Sequence, residues 1–292
     1  MIIIIGSVQD YHSRYVFEIL KNKNIPVHYF DSRYYPLINW SEKEENNYII
    51  LDNEKINIKD ISGLYWRCYY SVPLENSEII WREKTSALET FLYSLEKISF
   101  NSLQAVELHR KKGIQSKIMH NNGIRIPKTL ITNDKFALEE FYYSNNKNII
   151  YKPVRGGAYT QKFKEEDFLR ADTLVTCPCQ FQEFIDGTDI RVYAFESGEI
   201  YAGEIKAKNI DFRQDETAVI NKIELPKNIQ KNCLTVLKIL GLKYSGIDIR
   251  LSKTGEYVFI EANPAPMFTH FENITGYPIC ETLLKNLLKN NY

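Results

Sequence analysis

YSGIDIRLSKTGEYVFIEANPAP, Tyr244 to Pro266, places acidic side chains inside two apolar runs. Ile247, Ile249 and Leu251 mark the first run as a strand, and Tyr257, Val258, Phe259 and Ile260 mark the second. Unpaired carboxylates are costly in an apolar strand, so a cation is expected beside Asp248 and Glu261. Gly255 supplies the positive φ of a reversal, and a two-residue loop at Thr254-Gly255 is the simplest closure. That loop sets Lys253 opposite Glu256, Ile249 opposite Ile260 and Asp248 opposite Glu261. Side chains alternate along a strand. One face then carries Ile247, Ile249, Leu251, Val258, Ile260 and Ala262 and is the expected core face. The other carries Asp248, Arg250, Tyr257, Phe259, Glu261 and Asn263. Carboxylates directly opposite each other repel, and an all-oxygen set of Asp248, Glu261 and Asn263 suits Mg²⁺. Pro264 and Pro266 end the strand. The plainer alternative is a surface hairpin with solvated charges, and the registered Asp/Glu/Asn set favours the metal site over it.

The chain has 292 residues, 44% of them hydrophobic, enough for a sizeable core or for two or three small lobes. Lys+Arg and Asp+Glu each number 37, so no basic surplus advertises a nucleic acid or an anionic membrane. The opening MIIIIGS is apolar but short and has no basic flank, which reads as a first strand rather than a signal peptide. No apolar run reaches transmembrane length. The five cysteines, Cys68, Cys177, Cys179, Cys233 and Cys280, are odd in number and scattered. They read as reduced thiols of a cytoplasmic protein, and the Cys177-Pro178-Cys179 pair has no second pair or nearby histidine to make a zinc site.

Along the chain, Ile2 to Ile5, a helix from about Tyr11 to Lys21, and Ile25 to Phe30 read as strand, helix, strand, the start of a parallel sheet. Gly6-Ser7 follows without a GxGxxG fingerprint. NYIILDNEKINIK reads as a hairpin and GLYWRCYY as a strand. Glu78 to Lys97 and Leu103 to His120 have helical periodicity, the second ending at Asn121-Asn122-Gly123. Asn133 or Asp134 can cap a helix over Lys135 to Tyr143, and Cys280 to Lys289 reads as a closing helix. The reading is a mixed α/β (α+β) chain of three lobes, 1–110, 111–186 and 187–292.

Lys152 ends the apolar strand of NIIYKPVRGGAYT, just before a loop with Gly156-Gly157. Backbone N–H groups of such a loop can face phosphate oxygens, and Lys152 adds a point charge. The plainer alternative is a tight turn, and the lysine favours phosphate. In QFQEFIDG, backbone groups around Gln182 could read a base, and the Glu183 carboxylate could take ribose hydroxyls. An ordinary strand explains that stretch equally well. The next hairpin, turning at Ser197-Gly198, is expected to set Arg191 opposite Glu204 and Asp189 opposite Lys206 on one face. That is either a cross-strand salt-bridge ladder or a set of cations, Arg191 and Lys206, aimed at a transferring phosphate. Asp211-Phe212-Arg213 adds Arg213 just beyond.

The order of these motifs resembles the ATP-grasp superfamily over essentially the whole chain. Lys117 precedes NNGIRIPKTLIT, then come YKPVRGG, QEFIDGTDIRVYAF, GIDIRL and FIEANP. The resemblance implies an N-terminal parallel-sheet domain and ATP held between a central and a C-terminal lobe. It implies Lys117 and Lys152 on the phosphates and Glu183 at the ribose. Asp248, Glu261 and Asn263 would hold two Mg²⁺ ions. DIRV and IEAN are shared with the ribosomal-protein glutamate ligases. A nearer likeness is to the microviridin-type peptide maturases, the graspetide synthetases, through the opening strand and helix, Tyr65 to Arg67, DFR before Leu225-Pro226, and Thr275 to Ile279. Ala265-Pro266-Met267 departs from the Gly-Gln pair that commonly follows the terminal NP of those maturases, and YWRCYY lacks their usual second arginine and proline.

The resemblance implies carboxylate activation. ATP phosphorylates a carboxyl group, and an amine or hydroxyl then displaces the phosphate. Positioning and charge neutralisation carry such phosphoryl transfer. Arg191, Lys206 and Arg213 would steady the negative charge. In a maturase the substrate is a precursor peptide, whose Asp or Glu side chain is joined to a Ser, Thr or Lys of the same peptide; a homodimer is compatible with this. The rival readings are a ligase adding free amino acids to a protein tail or small acid, and a nucleotide-binding regulator without turnover.

Overall fold

The computed structural model describes residues 1–43, 45–69, 77–155, 157–215 and 217–289. The chain divides into two compact units, Met1–Val106 with Gly241–Tyr244 and Pro264–Tyr292, and Glu107–Leu240 with Ser245–Asn263.

In the first unit, β1 (Ile2–Gly6) is buried throughout. A run of isoleucines has no polar face, so it suits a strand covered on both sides. Helix α1 (Tyr11–Asn22) follows, capped by Asp10, whose carboxylate accepts the Ser13 N–H at 2.8 Å. Next comes β2 (Val27–Asp31). A separate antiparallel sheet holds β3 (Leu37–Asn39), β4 (Tyr48–Leu51) and β5 (Glu54–Asn57). Asp52 and Asn53 join β4 to β5 with φ of 51° and 65°, as a two-residue hairpin requires. Strand β6 (Gly63–Trp66) completes the order β2-β1-β6, all parallel, as expected from the sequence. Helix α2 (Glu78–Tyr93) packs Leu88, Phe91 and Leu92 into a core with Ile3, Ile5 and Leu64.

The single helix expected over Leu103–His120 is two, α3 (Leu103–Arg110) and α4 (Lys112–Asn121). Lys111, at φ −100° and ψ 61°, breaks them apart. A one-residue interruption barely disturbs the apolar spacing, so periodicity does not register it.

In the second unit, β7 (Thr129–Thr132), helix α5 (Lys135–Ser144), β8 (Ile149–Pro153), β9 (Gln161–Lys162) and β10 (Cys179–Glu183) follow in sequence. Their strands form an antiparallel sheet in the order β7-β10-β8-β9. Asp134 caps α5 by accepting the Phe136 N–H at 2.9 Å. Leu138, Tyr142, Ile149, Phe163 and Phe181 pack as its core. The second sheet of this unit holds β11 (Gly187–Phe195), β12 (Ile200–Lys206) and β13 (Val219–Ile223), then, after helix α6 (Lys227–Leu240), β14 (Tyr244–Ser252) and β15 (Tyr257–Asn263). Its order is β13-β12-β11-β14-β15. Gly187 is required where β11 meets β14, since a Cβ there would lie 1.9 Å from the Leu251 carbonyl oxygen. The remaining helices, α7 (Thr269–Thr275) and α8 (Ile279–Lys289), belong to the first unit.

Both hairpins of the second sheet turn differently from the expectation. Ser252 N–H bonds the Glu256 carbonyl and Gly255 N–H bonds the Ser252 carbonyl, each at 2.9 Å. Phe195 N–H and Gly198 N–H do the same with Glu199 and Phe195, again at 2.9 Å. Each loop therefore has three residues, with its glycine last at a φ of 85° or 103°. Thr254 and Ser197 are poor candidates for the positive φ that a two-residue loop would ask of them, and a three-residue loop needs it only at the glycine. The register of β11 with β12 accordingly slips by one: Arg191 faces Gly203 and Asp189 faces Ile205, not Glu204 and Lys206.

In the β14–β15 hairpin the same slip sets Ile249 opposite Phe259 rather than Ile260. A bulge between Asp248 and Ile249 then restores Asp248 opposite Glu261, the pairing expected from the sequence. An extra residue in a bulge reverses the alternation beyond it. Phe259 is accordingly 1% exposed, while Ile260 is only half-buried, a correction to the expected core face. No helix among the described residues is long and apolar enough to cross a membrane.

Candidate active site

Asp189 and Arg191 of β11, Asp248 and Arg250 of β14 and Glu261 of β15 share one face of the sheet. Ile190, Val192, Ile247 and Ile249 alternate with them and are at most 1% exposed, so the opposite face is core. On the charged face, Arg191 of β11 donates from Nη1 to Asp248 Oδ1 of β14 at 2.5 Å. Arg250 of β14 pairs with Asp189 of β11 at 2.7 Å. Glu261 of β15 stands opposite Asp248, and Lys112 of α4 donates to its Oε2 at 2.7 Å. The cations that the apolar strands called for are thus present in the chain itself.

Helix α4 reaches this carboxylate because it lies along the outer edge of β15. The Gln115 carboxamide bonds both backbone groups of Ala262, donating to its carbonyl at 2.9 Å and accepting its N–H at 3.0 Å. His109 Nδ1 lies 3.2 Å from the same carbonyl, and Phe259 N–H bonds the Arg125 carbonyl at 2.8 Å. An edge strand's unpaired groups are thereby satisfied, and the first turn of α4 is held over Glu261.

Burial works against ionisation of Glu261, but Lys112 beside it and Lys152 nearby outweigh that, and its carboxyl is lowered to about 2. Lys152, on β8 opposite Gln180, has its ammonium pushed down by burial. Glu261 and Asp248 oppose that shift, and Lys112 and Arg213 reinforce it. Burial likewise keeps His109 below the usual imidazole range. For Arg191, burial disfavours the charge, but Asp248 more than restores it and the net shift is upward. Arg213 grips Asp211 with Nε on Oδ1 at 2.7 Å and Nη2 on Oδ2 at 2.5 Å. Asp211 also accepts the Thr160 N–H at 3.0 Å, and the guanidinium lies 5.4 Å from the Tyr159 ring centre. The loop after Lys152 is thereby tied to Arg213.

Of the expected site residues, Lys152, Arg191, Arg213, Asp248 and Glu261 come together. Asn263 is on the same face of β15 two residues beyond Glu261, opposite Gly246. Asp189 serves Arg250, and burial raises its carboxyl despite that partner. Gln182 is buried and donates to Thr129 Oγ1 at 3.0 Å. The Glu183 carboxylate accepts from Arg125 at 3.2 Å and from the Lys128 N–H at 3.2 Å. Lys206 is exposed and pairs with Glu204 at 3.4 Å, away from the role assigned to it beside Arg191 once the register has slipped. Gly157 is exposed with a φ of 100°, and Gly156 lies outside the described residues. Lys117 is exposed on α4; the lysine of that helix that reaches the cluster is Lys112. Sequence reading missed Lys112 and His109. Their one local trace is the Lys111-Lys112-Gly113 interruption, since glycine is a poor helix former.

Among the described residues no three His, Cys, Asp or Glu side chains group as a metal site. The set here is two carboxylates and a carboxamide, oxygen donors that fit a hard divalent cation. Four cations, Lys112, Lys152, Arg191 and Arg213, stand with three carboxylates, Asp211, Asp248 and Glu261. The one positive charge left over suits an anion such as a polyphosphate.

Residues 109–287 match the family described as the RimK-like ATP-grasp domain. Among curated proteins, the alpha-aminoadipate–LysW ligase LysX of Sulfurisphaera tokodaii is 22% identical, over 87% of this chain and 96% of its own. A probable alpha-L-glutamate ligase of Vibrio atlanticus is 26% identical, over 65% of this chain and 67% of its own. Among solved structures, the ATP-grasp ligase PsnB complexed with minimal precursor superposes with a TM-score of 0.88 at 29% identity, covering 100% of this chain and 99% of that one. Macrocyclase MdnC bound with precursor peptide MdnA, from Microcystis aeruginosa, shares the fold with a TM-score of 0.85 at 21% identity, over 98% of this chain and 99% of its own. The family match covers more than half of the sequence and contains the whole charged cluster, so the chain belongs to the RimK-like ATP-grasp family of ligases.

Proposed function

We propose that the chain is an ATP- and Mg²⁺-dependent ligase that activates Asp or Glu side chains of a ribosomal precursor peptide and closes ester or amide macrocycles within it. The observation that carries this reading is the extent of the likeness to PsnB. It runs over 100% of the chain at 29% identity, including the first 108 residues, which precede the family match. PsnB has been solved with a precursor variant, Mg and ADP together.

In this reading Lys112, Lys152 and Arg213 neutralise the nucleotide's phosphates. The loop carrying Gly157 would face them with backbone N–H groups, and Glu183 would take the ribose. Asp248, Glu261 and Asn263 would hold Mg²⁺, which when bound supplies Lewis acidity to phosphoryl oxygens. A substrate carboxylate oxygen attacks the γ-phosphorus and ADP leaves, giving an acyl-phosphate. A Ser or Thr hydroxyl or a Lys amine attacks its carbonyl carbon, and phosphate leaves as the nucleophile loses its proton. Each link removes one water from the peptide. Arg191 fixes Asp248, and through it the charged face on which this happens.

The second reading is addition of free amino acids to a protein tail or small acid, favoured by the two curated ligases above. Mass spectrometry separates the two. The chain is incubated with ATP, Mg²⁺ and short peptides whose ends carry repeated Thr, Ser, Asp and Glu. Loss of one water per link with matching ADP release supports macrocyclisation. A gain of residue masses in the presence of free amino acids transfers the assignment to the second reading. No ADP release with either substrate set overturns both.

A further inference from the structure

The two carboxylates proposed to hold metal each have a protein cation bonded to them. Lys112 lies 2.7 Å from Glu261 with the side chains only 18% and 21% exposed, and Arg191 lies 2.5 Å from Asp248 with 14% and 31% exposed. Directly opposed carboxylates need such partners. Lys112 is also the first residue of α4, where the partial positive charge of the helix end adds to its own. Glu261 is the anion it has found. An ammonium and a divalent cation repel each other, so binding a metal at Glu261 costs most while Lys112 stays there.

Resting on the ATP and Mg²⁺ reading, we infer that Lys112 is a positioning counter-ion exchanged during loading. Before ligand arrives it holds the Glu261 carboxylate by a direct bond, on the strand position opposite Asp248. When a nucleotide's phosphates enter, Lys112 transfers to them and releases the carboxylate to the metal. The geometry favours Lys112 over Lys152 for this part, because Lys112 makes the direct bond to Glu261 while Lys152 contributes at longer range. The consequence is coupling beyond direct metal–phosphate contact: metal alone binds poorly, and nucleotide relieves the cause.

The test reads Mn²⁺ binding by electron paramagnetic resonance on the full chain without nucleotide, and ADP binding by calorimetry without metal. Lys112→Met removes the competitor. Nucleotide-free Mn²⁺ affinity should rise by about tenfold, within the usual range of coupling between sites, while metal-free ADP affinity falls by about tenfold. Lys135→Met, on an exposed lysine of α5 paired with Asp172, should change neither. Lys112→Gln is the second variant, with circular dichroism confirming that each is folded. Unchanged Mn²⁺ affinity in a folded Lys112 variant that still binds ADP overturns the exchange and leaves the ligase reading intact. A wild-type chain that binds neither Mn²⁺ nor ADP overturns both.

Discussion

Replacing Glu261 by glutamine should loosen the β14–β15 hairpin by an amount set by its bond to Lys112. The amide keeps the shape and one acceptor but loses the charge. A hydrogen bond between charged groups contributes about 1.5–3 kcal/mol, and both side chains are about four-fifths buried. The loss of the anion also leaves Lys112 and Lys152 close together without their shared neighbour. A cost of about 2–3 kcal/mol follows, or roughly 30- to 150-fold in a local opening constant at about 1.4 kcal/mol per tenfold. Amide hydrogen exchange of peptides covering residues 244–263 observes this hairpin. The carboxyl of Glu261 is depressed from 4.5 to about 2. A depressed carboxyl stabilises the fold fully above its unfolded value, and the gain is lost as pH falls through the folded one. The difference between wild type and Glu261→Gln should therefore be largest at pH 7 and shrink below about pH 4.5. Equal protection in the two proteins at pH 7, or a gap that widens in acid, would refute the reasoning.

Gln115→Met should raise exchange at the Ala262 amide, because it removes the acceptor of that N–H at a cost of about 1–3 kcal/mol for the group left unpaired, while the Ala262 carbonyl keeps His109; an unchanged Ala262 amide would show the edge is held by other means. Alkylation at pH 8 should modify exposed Cys177 first, while Cys233 and Cys280, whose thiols burial pushes up to about 12, react only on unfolding. Mass mapping of labelled peptides checks the order, and early labelling of Cys233 would contradict its burial.

The facing of Asp248 and Glu261 was legible in the sequence, yet by a route only partly right. The two-residue loop expected at Thr254-Gly255 is a three-residue loop, and a bulge after Asp248 cancels the difference. No bulge cancels it at Ser197-Gly198, and there the expected pairing of Arg191 with Glu204 fails. Local pattern gives the glycine that turns a chain, but loop length and bulges answer to twist and to the packing of neighbouring strands.

By itself, then, the sequence determined what is local. It set the buried parallel strand of isoleucines, the capped helices, the turn glycines and the acidic positions in apolar strands, because alternation, capping and φ are properties of neighbouring residues. Only the tertiary structure decided which cation meets which anion. Arg191 finds Asp248 because β11 and β14 are adjacent strands, and Lys112 finds Glu261 because α4 covers the edge of β15. Those partners are 57 and 149 residues apart in the chain, and no pattern of short period spans such a distance.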